Sequence, residues 1–241
     1  MAEYMWETKV YPGEMFVESC GAILFDLSAP RSSASASSSA SASSDSDSPA
    51  ADPTTDAAAD TAEATTTSET SSSSGNKVCL LHYMAEDQWL LPKGRRNCRE
   101  TRQAAAVREV REESGYACRL RPVTMPTRAP SVLEAADVED FARTYRDLTE
   151  PFMLEVRDLG QGEGKGVKLV WWFVAEVLRP GDSVSGGEDG DEYEPGVPEV
   201  HFAPEFFDCE VALNRLTFQK DRDVLRRAME LVESSKWDWS D

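Results

Sequence analysis

The 241-residue chain is acidic, with 44 Asp and Glu against 25 Lys and Arg and a formal net charge of −19. This balance argues against nonspecific binding to nucleic acid or to an anionic membrane surface. Hydrophobic residues make up 40% of the chain, which suffices for a globular core. The most apolar stretch, Leu169 to Ala175, is too short to span a bilayer. We therefore expect a globular protein with no membrane partner and no sequence-specific nucleic-acid partner.

The five cysteines are odd in number, far apart and without a CxxC pair. They predict reduced thiols in an intracellular protein rather than a disulfide or zinc framework. The first ten residues lack the basic region and apolar run of a secretory signal. A cytoplasmic location is expected, with a nuclear one left open.

The N-terminal part of the chain predicts two strands separated by a long insertion. Apolar residues from Met15 to Leu27 indicate a first strand, and Lys77 to Tyr83 indicates a second that pairs with it. Between them, residues 28–76 are rich in Ser, Ala and Thr and contain no large apolar run. Such a segment cannot bury enough surface to offset the entropy of ordering, so we predict a disordered insertion.

A short amphipathic helix is predicted from Ala104 to Ser114, ending at Gly115. On it, Glu109, Glu112 and Glu113 stand at i, i+3 and i+4 and project from one face. Like charges at this spacing repel by a few tenths of a kcal/mol per pair. Hard divalent cations such as Mg²⁺ and Mn²⁺, which prefer carboxylate oxygen and water, would offset that repulsion.

A basic loop precedes this helix in an otherwise acidic chain. Its cations cluster within ten residues and are Lys93, Arg95, Arg96, Arg99 and Arg102. The loop also contains Gly94, which permits close approach of the backbone. Carboxylates beside cations and a glycine are the parts needed to hold a polyphosphate and stabilise charge on a transferring phosphoryl group.

The segment 94–116 resembles the Nudix box in full. The match consists of Gly94, Glu100, the run Arg108-Glu109-Val110, the pair Glu112-Glu113 and the pair Gly115-Tyr116. Only Tyr116 departs from the pattern, where an aliphatic residue is usual. The entry from Trp89 to Gly94, Trp-Leu-Leu-Pro-Lys-Gly, further resembles the hydrolases of dinucleoside polyphosphates and diphosphoinositol polyphosphates.

The rest of the chain predicts further strands and helices. Predicted strands cover residues 117–123, 151–156, 167–178 and 200–202, and predicted helices cover residues 138–148 and 219–232. On the strand at 167–178, Trp171 and Trp172 face opposite ways. Residues 180–199 are rich in Gly and acids and predict a mobile loop.

The resemblance implies the Nudix fold, an α/β/α sandwich with a mixed β-sheet. Its expected parts are residues 1–27 with the first strand, the insertion at 28–76, the remainder of the domain at 77–234 and a tail at 235–241. The closing helix would cover the sheet face opposite the box helix.

The resemblance also implies a pyrophosphohydrolase that uses Mg²⁺ or Mn²⁺. Its implied metal ligands are Glu109, Glu112 and Glu113, with Glu100 supporting them. Arg108 would orient a glutamate, and a glutamate of the box, Glu109 or Glu112 foremost, would act as the base. Adjacent cations suit a highly charged ligand, so the candidate polyphosphate contacts are Lys93, Gly94, Arg95 and Arg96.

The expected substrate is a diadenosine polyphosphate or a diphosphoinositol polyphosphate. One alternative is another nucleoside diphosphate-linked compound, whose base would stack on Trp171 or Trp172. A second alternative is a non-catalytic Nudix module that binds nucleotide or protein. The intact set of box carboxylates favours the enzyme. The sequence does not determine the oligomeric state.

Overall fold

The structure, a computed structural model, describes residues 8–27, 75–135, 137–160, 165–180, 182 and 196–235. Nearly all of the predicted insertion at 28–76, most of the acidic loop at 180–199 and the tail after residue 235 lie outside these described residues. Within the described part, no helix is long and apolar enough to cross a membrane.

The described chain forms ten strands and three helices after one 3-10 turn at Gly13–Met15. The strands are β1 (Phe16–Asp26), β2 (Lys77–Tyr83), β3 (Gln88–Leu90), β4 (Lys93–Arg95), β5 (Cys118–Leu120), β6 (Val123–Thr127), β7 (Arg143–Leu148), β8 (Met153–Gly160), β9 (Gly166–Val177) and β10 (Phe202–Asp208). The helices are α1 (Arg102–Ser114), α2 (Cys209–Arg215) and α3 (Gln219–Ser234).

A mixed sheet is built around β1 and β9, which run parallel from the pair Phe16 and Val167 to the pair Phe25 and Glu176. The strand order is β10-β2-β1-β9-β5, and β3, β4 and β8 pair antiparallel with β2, β1 and β9. The predicted pairing of the first two strands is confirmed, with Phe25 opposite Val78. Strands β6 and β7 form a separate two-stranded sheet.

Helices cover both faces of the mixed sheet. Small residues of α1, such as Ala105 and Ala106, pack on Cys20, Ala22 and Leu24 of β1. On the other face, apolar residues of α3 join a core that includes Ile23, Phe25 and Trp172. The α/β/α sandwich and the closing helix are therefore confirmed. Four of the five cysteines are buried, and none of the five forms a disulfide with a described residue.

The helix predicted over residues 138–148 is wrong. Residues Arg143–Leu148 form β7, which pairs antiparallel with β6, with Tyr145 opposite Met125. Phe141 is about half exposed, so this apolar side chain of the predicted helix is not packed in a core. Tertiary pairing overrides the local pattern, because Thr and aromatic residues fit a strand well when a partner strand is available.

Two predicted strand boundaries also change. The strand predicted over residues 117–123 divides into β5, which joins the main sheet, and the start of β6, which joins the small one. The strand predicted over 200–202 begins at Phe202 and continues to Asp208. It passes through Pro204, which a central strand would exclude, but β10 lies at the sheet edge, where a missing N–H donor is tolerated.

The buried face of α3 should contribute a large part of the stability. Leu225 is fully buried in the core that α3 shares with the sheet. We expect Leu225→Ala to lower the free energy of unfolding by roughly 2–5 kcal/mol through lost burial and a residual cavity, measured by urea denaturation. Val211→Ala, at an exposed position of α2, is the control and should cost under about 1 kcal/mol. Equal losses in the two variants would contradict this account of the core.

Candidate functional site

Helix α1 is held at both ends by its own sequence. The Thr101 hydroxyl accepts a hydrogen bond from the Ala104 N–H at 3.1 Å, so the helix starts two residues before the predicted Ala104. It ends at Gly115, which has a φ of 74°, in the left-handed region, and donates its N–H to the Arg111 carbonyl at 2.8 Å. These caps determine which residues of the box turn toward the sheet.

Strand β4 lies against the carboxylates of α1. The Lys93 N–H donates to Glu113 Oε2 at 2.7 Å. A Cβ added to Gly94 would stand 1.7 Å from Glu109 Oε2, so only glycine leaves room for that carboxylate. Glu109 and Glu113 are each only 8% exposed. The backbone of β4 and two nearly buried carboxylates thus form one contact.

Arg108 is the hub of the carboxylate cluster. It binds Glu100 through two hydrogen bonds, from Nε to Oε1 at 2.7 Å and from Nη2 to Oε2 at 3.0 Å. Its Nη1 donates to Glu109 Oε1 and to Glu112 Oε2, both at 2.8 Å. The sequence predicts the contact with Glu112 from the i, i+4 spacing, and the tertiary structure adds the other two carboxylates.

One guanidinium does not compensate four carboxylates. The hydrogen bonds from Arg108 hold the pKa of Glu100 below its usual value. Burial raises the pKa of Glu109 despite its contact with Arg108. Burial also raises the pKa of Glu113 to about 8, because the charge of Lys93 and the hydrogen bond from its N–H offset only part of the desolvation. The cluster retains negative charge that a cation would stabilise.

A further carboxylate, which sequence analysis missed, stands close to this cluster. The N–H of Glu199 donates to the Glu112 carbonyl at 3.0 Å, which brings the segment before β10 against the end of α1. The charge of Glu199 contributes to the raised pKa values of Glu109 and Glu113. Glu199 is about 90 residues from the box in sequence, so no local spacing could indicate this proximity.

The donor chemistry of the cluster fits a hard divalent cation. Among the described residues, no three His, Cys, Asp or Glu side chains converge on one point at metal-ligand geometry. Three of the box carboxylates, Glu100, Glu109 and Glu112, accept hydrogen bonds from Arg108 instead. The fit rests on Glu113, which is buried without a full counter-charge, and on Gly94, whose missing side chain leaves room for the Glu109 carboxylate. The four carboxylates therefore supply donors of the right chemical type, but in this arrangement they do not converge on one point.

The predicted phosphate contacts divide between the two sides of β4. Gly94 faces α1, so the alternation of a strand places Lys93 and Arg95 on the opposite face. Neither of these two side chains forms an ion pair with a described residue. Arg96, in contrast, donates to Glu18 Oε2 at 2.8 Å and to two backbone carbonyls. A substrate contact by Arg96 stays a prediction.

The tryptophans considered for base stacking are engaged within the protein. Trp172 is fully buried in the core. Trp171 donates its indole N–H to Glu18 at 3.0 Å, and Arg102 covers its ring at 4.1 Å from the centroid. A further tryptophan, Trp89 in the entry to the box, stacks on His82 with ring centroids 4.6 Å apart. These contacts weaken the nucleotide-stacking alternative.

Comparison with known proteins identifies the domain. The NUDIX domain family model matches residues 72–227, more than half of the chain. Among solved structures, the chain is similar to a C. elegans Ap4A hydrolase at 14% identity and a TM-score of 0.43, over 90% of this chain and 99% of that one. It is similar to the E. coli ORF135 protein at 15% identity and a TM-score of 0.42, over 96% and 100%. These structural likenesses are too low to indicate a substrate.

Removing the hub should destabilise the protein. With EDTA present, we expect Arg108→Met to lower the free energy of unfolding by about 1–3 kcal/mol, because three carboxylates lose their shared partner. Urea denaturation measures the change. Arg227→Met, which removes one exposed ion pair of α3, is the matched control and should cost less than about 1 kcal/mol. An Arg108 variant as stable as this control would contradict the role of the hub.

Glu18 should contribute stability that depends on pH. Burial opposes ionisation of Glu18, but hydrogen bonds from Arg102, Trp171 and Arg96 outweigh it and lower the pKa. A lowered folded-state pKa gives stability that is present above the unfolded pKa and lost as pH falls through the folded pKa. The deficit in unfolding free energy of Glu18→Gln should thus be largest near pH 6–7 and shrink below about pH 4. Glu14→Gln, at an exposed position, should show no such trend. A pH-independent deficit of Glu18→Gln would refute this linkage.

Proposed function

The chain belongs to the Nudix family of pyrophosphohydrolases, and on that premise we propose that it hydrolyses a diadenosine polyphosphate or a diphosphoinositol polyphosphate with Mg²⁺ or Mn²⁺. One observation carries the proposal: β4 contacts the carboxylates of Glu109 and Glu113 on one side and carries on the other two cations that form no ion pair with a described residue. Its Lys93 N–H binds Glu113 on one side, while the side chains of Lys93 and Arg95 lie on the other. Nudix hydrolases generally use divalent metals.

The proposed roles follow from this arrangement. The metal would be held by Glu109, Glu112 and Glu113, with Glu100 supporting them, and when bound it would supply an activated water and neutralise charge on the phosphates. Arg108 would keep its carboxylate partners in place until the metal binds. Lys93 and Arg95 would bind phosphate oxygens, with the Gly94 backbone and Arg96 close by.

The proton from the attacking water needs an acceptor in the cluster. Burial raises the pKa of Glu109 and Glu113, which would make either a better base than an exposed glutamate. A bound divalent cation would lower both values, so these directions do not by themselves assign the base. A glutamate of the box, Glu109 or Glu112 foremost, remains our choice.

Hydrolysis across a substrate panel tests the proposal. Phosphate products would be measured with Mg²⁺ for diadenosine polyphosphates, diphosphoinositol polyphosphates, ADP-ribose and oxidised nucleoside triphosphates. We expect turnover of one of the first two classes and a loss of at least about 100-fold in Glu112→Gln, since even changes outside the ligand shell cost 10–100-fold. Glu230→Gln, on an exposed face of α3, should keep full activity.

Metal binding gives a second readout that is independent of turnover. Titration of Mn²⁺, followed by electron paramagnetic resonance, should show weaker binding to Glu112→Gln than to Glu230→Gln. If the unaltered protein binds a panel compound but hydrolyses none, the intact box serves recognition, and the non-catalytic module is the correct alternative. Preferred turnover of ADP-ribose would instead favour the nucleoside diphosphate-linked alternative.

A further inference from the structure

Cations gather on the sheet face opposite α1, next to β4. They are Lys93 and Arg95 on β4, Arg157 on β8, Lys168 on β9 and Lys220 on α3. The register places Ser19 of β1 between Arg95 and Val170, and it pairs Arg157 directly with Lys168. Directly paired residues share a face, so these side chains project together over about 14 Å, three strand spacings of about 4.8 Å.

Positive charge on this face is only partly compensated. Arg157 binds Glu155, and Lys220 lies 2.8 Å from Asp221 and 3.6 Å from Glu155. Five cations therefore share two carboxylates, which leaves an excess of three positive charges in a chain of net charge −19.

Lys93, Arg95 and Lys168 form no ion pair with any described residue, although the charge of Lys93 acts on Glu113 and that of Glu155 acts on Lys168. Burial lowers the pKa of Lys168, and the charges of Lys93 and Arg157 lower it further. The cations repel one another, and a bound anion would relieve that repulsion.

A buried hydroxyl lies in the same place. Ser19 is fully buried, and within the described part its Oγ has no hydrogen-bond partner. Buried polar groups without a partner are rare in folded proteins and call for an explanation. The Ser19 hydroxyl could donate a hydrogen bond to an anionic oxygen bound by the neighbouring cations. Val170 and the other apolar core side chains have no acceptor for this hydrogen bond. Both observations indicate the same kind of ligand.

Strand β4 connects this face to the carboxylate cluster. It is three residues long, and it pairs with β1 along one side. Its Lys93 N–H binds Glu113, while the Lys93 side chain belongs to the cationic face. A ligand that passes from the carboxylates around the side of β4 that pairs with no described strand reaches Lys93 and Arg95 first and Lys168 beyond them.

We propose that Lys168 and Ser19, together with Lys93 and Arg95, bind phosphate groups of the substrate that lie beyond the cleaved linkage. The inference rests on the proposed function and narrows the range of substrates that the protein would hydrolyse. The substrate class carries at least one phosphate group in addition to the two that flank the cleaved bond. Compounds with exactly two phosphate groups would leave Lys168 and Ser19 without a ligand.

Binding without metal tests this subsite directly. Isothermal titration with inorganic tripolyphosphate in EDTA should show binding to the unaltered protein and a loss of about tenfold or more in Lys168→Met, the usual scale for a hydrogen bond to a charged group. Lys168→Arg should restore most of the affinity because it keeps the charge. Lys77→Met, at the start of β2, is the matched control and should bind like the unaltered protein. Thermal unfolding verifies that each variant is folded.

Kinetics separate failure of the subsite from failure of the proposed function. Lys168→Met should raise KM for a substrate with three or more phosphates more than for ADP-ribose, and Ser19→Ala should change KM in the same direction. Turnover with no effect of either variant on KM or on tripolyphosphate affinity overturns the subsite and leaves the hydrolase intact. Tripolyphosphate binding that depends on Lys168, without any turnover, supports the subsite and overturns the hydrolase. No tripolyphosphate binding to the unaltered protein overturns the subsite.

Discussion

The site depends on one guanidinium that holds carboxylates together against their mutual repulsion. Arg108 bonds Glu100, Glu109 and Glu112 at once. This contact links the loop before α1 to two turns of the helix, and through the Arg95 carbonyl, which accepts from Nη2 at 3.0 Å, it also reaches β4. Because one positive charge serves several negative ones, the cluster is assembled but not neutral.

Strand β4 gives the site two chemically different sides. Alternation along a strand has a period of two, so Gly94 faces the glutamates while Lys93 and Arg95 face away from them. A single three-residue strand therefore separates a negative cluster from a positive one. The segregation matters because opposite charges at direct contact would pair with each other and would be less available to ligands.

Local rules predicted elements well where local and tertiary preferences agree. The helix predicted over 104–114 is α1, whose stop at Gly115 and apolar edge were predicted from the sequence, whereas its start at Arg102 after the Thr101 cap was not. The local rules failed at residues 138–148. The apolar spacing there indicates a helix, but pairing with β6 makes residues 143–148 a strand. The strand predicted at 200–202 continues through Pro204 to Asp208, and only the strand order reveals that β10 is an edge where proline is tolerated.

The sequence by itself determined the family, the sandwich of helices on a mixed sheet and the identity of the box carboxylates, because a motif of fixed residue types and spacing encodes them locally. Only the tertiary structure decided that Arg108 reaches Glu100 and Glu109, that Glu199 approaches the cluster, and that Lys168 shares a face with Lys93. These contacts join strands and loops distant in the chain, and their register follows from the packing of the whole sheet, which no local spacing contains.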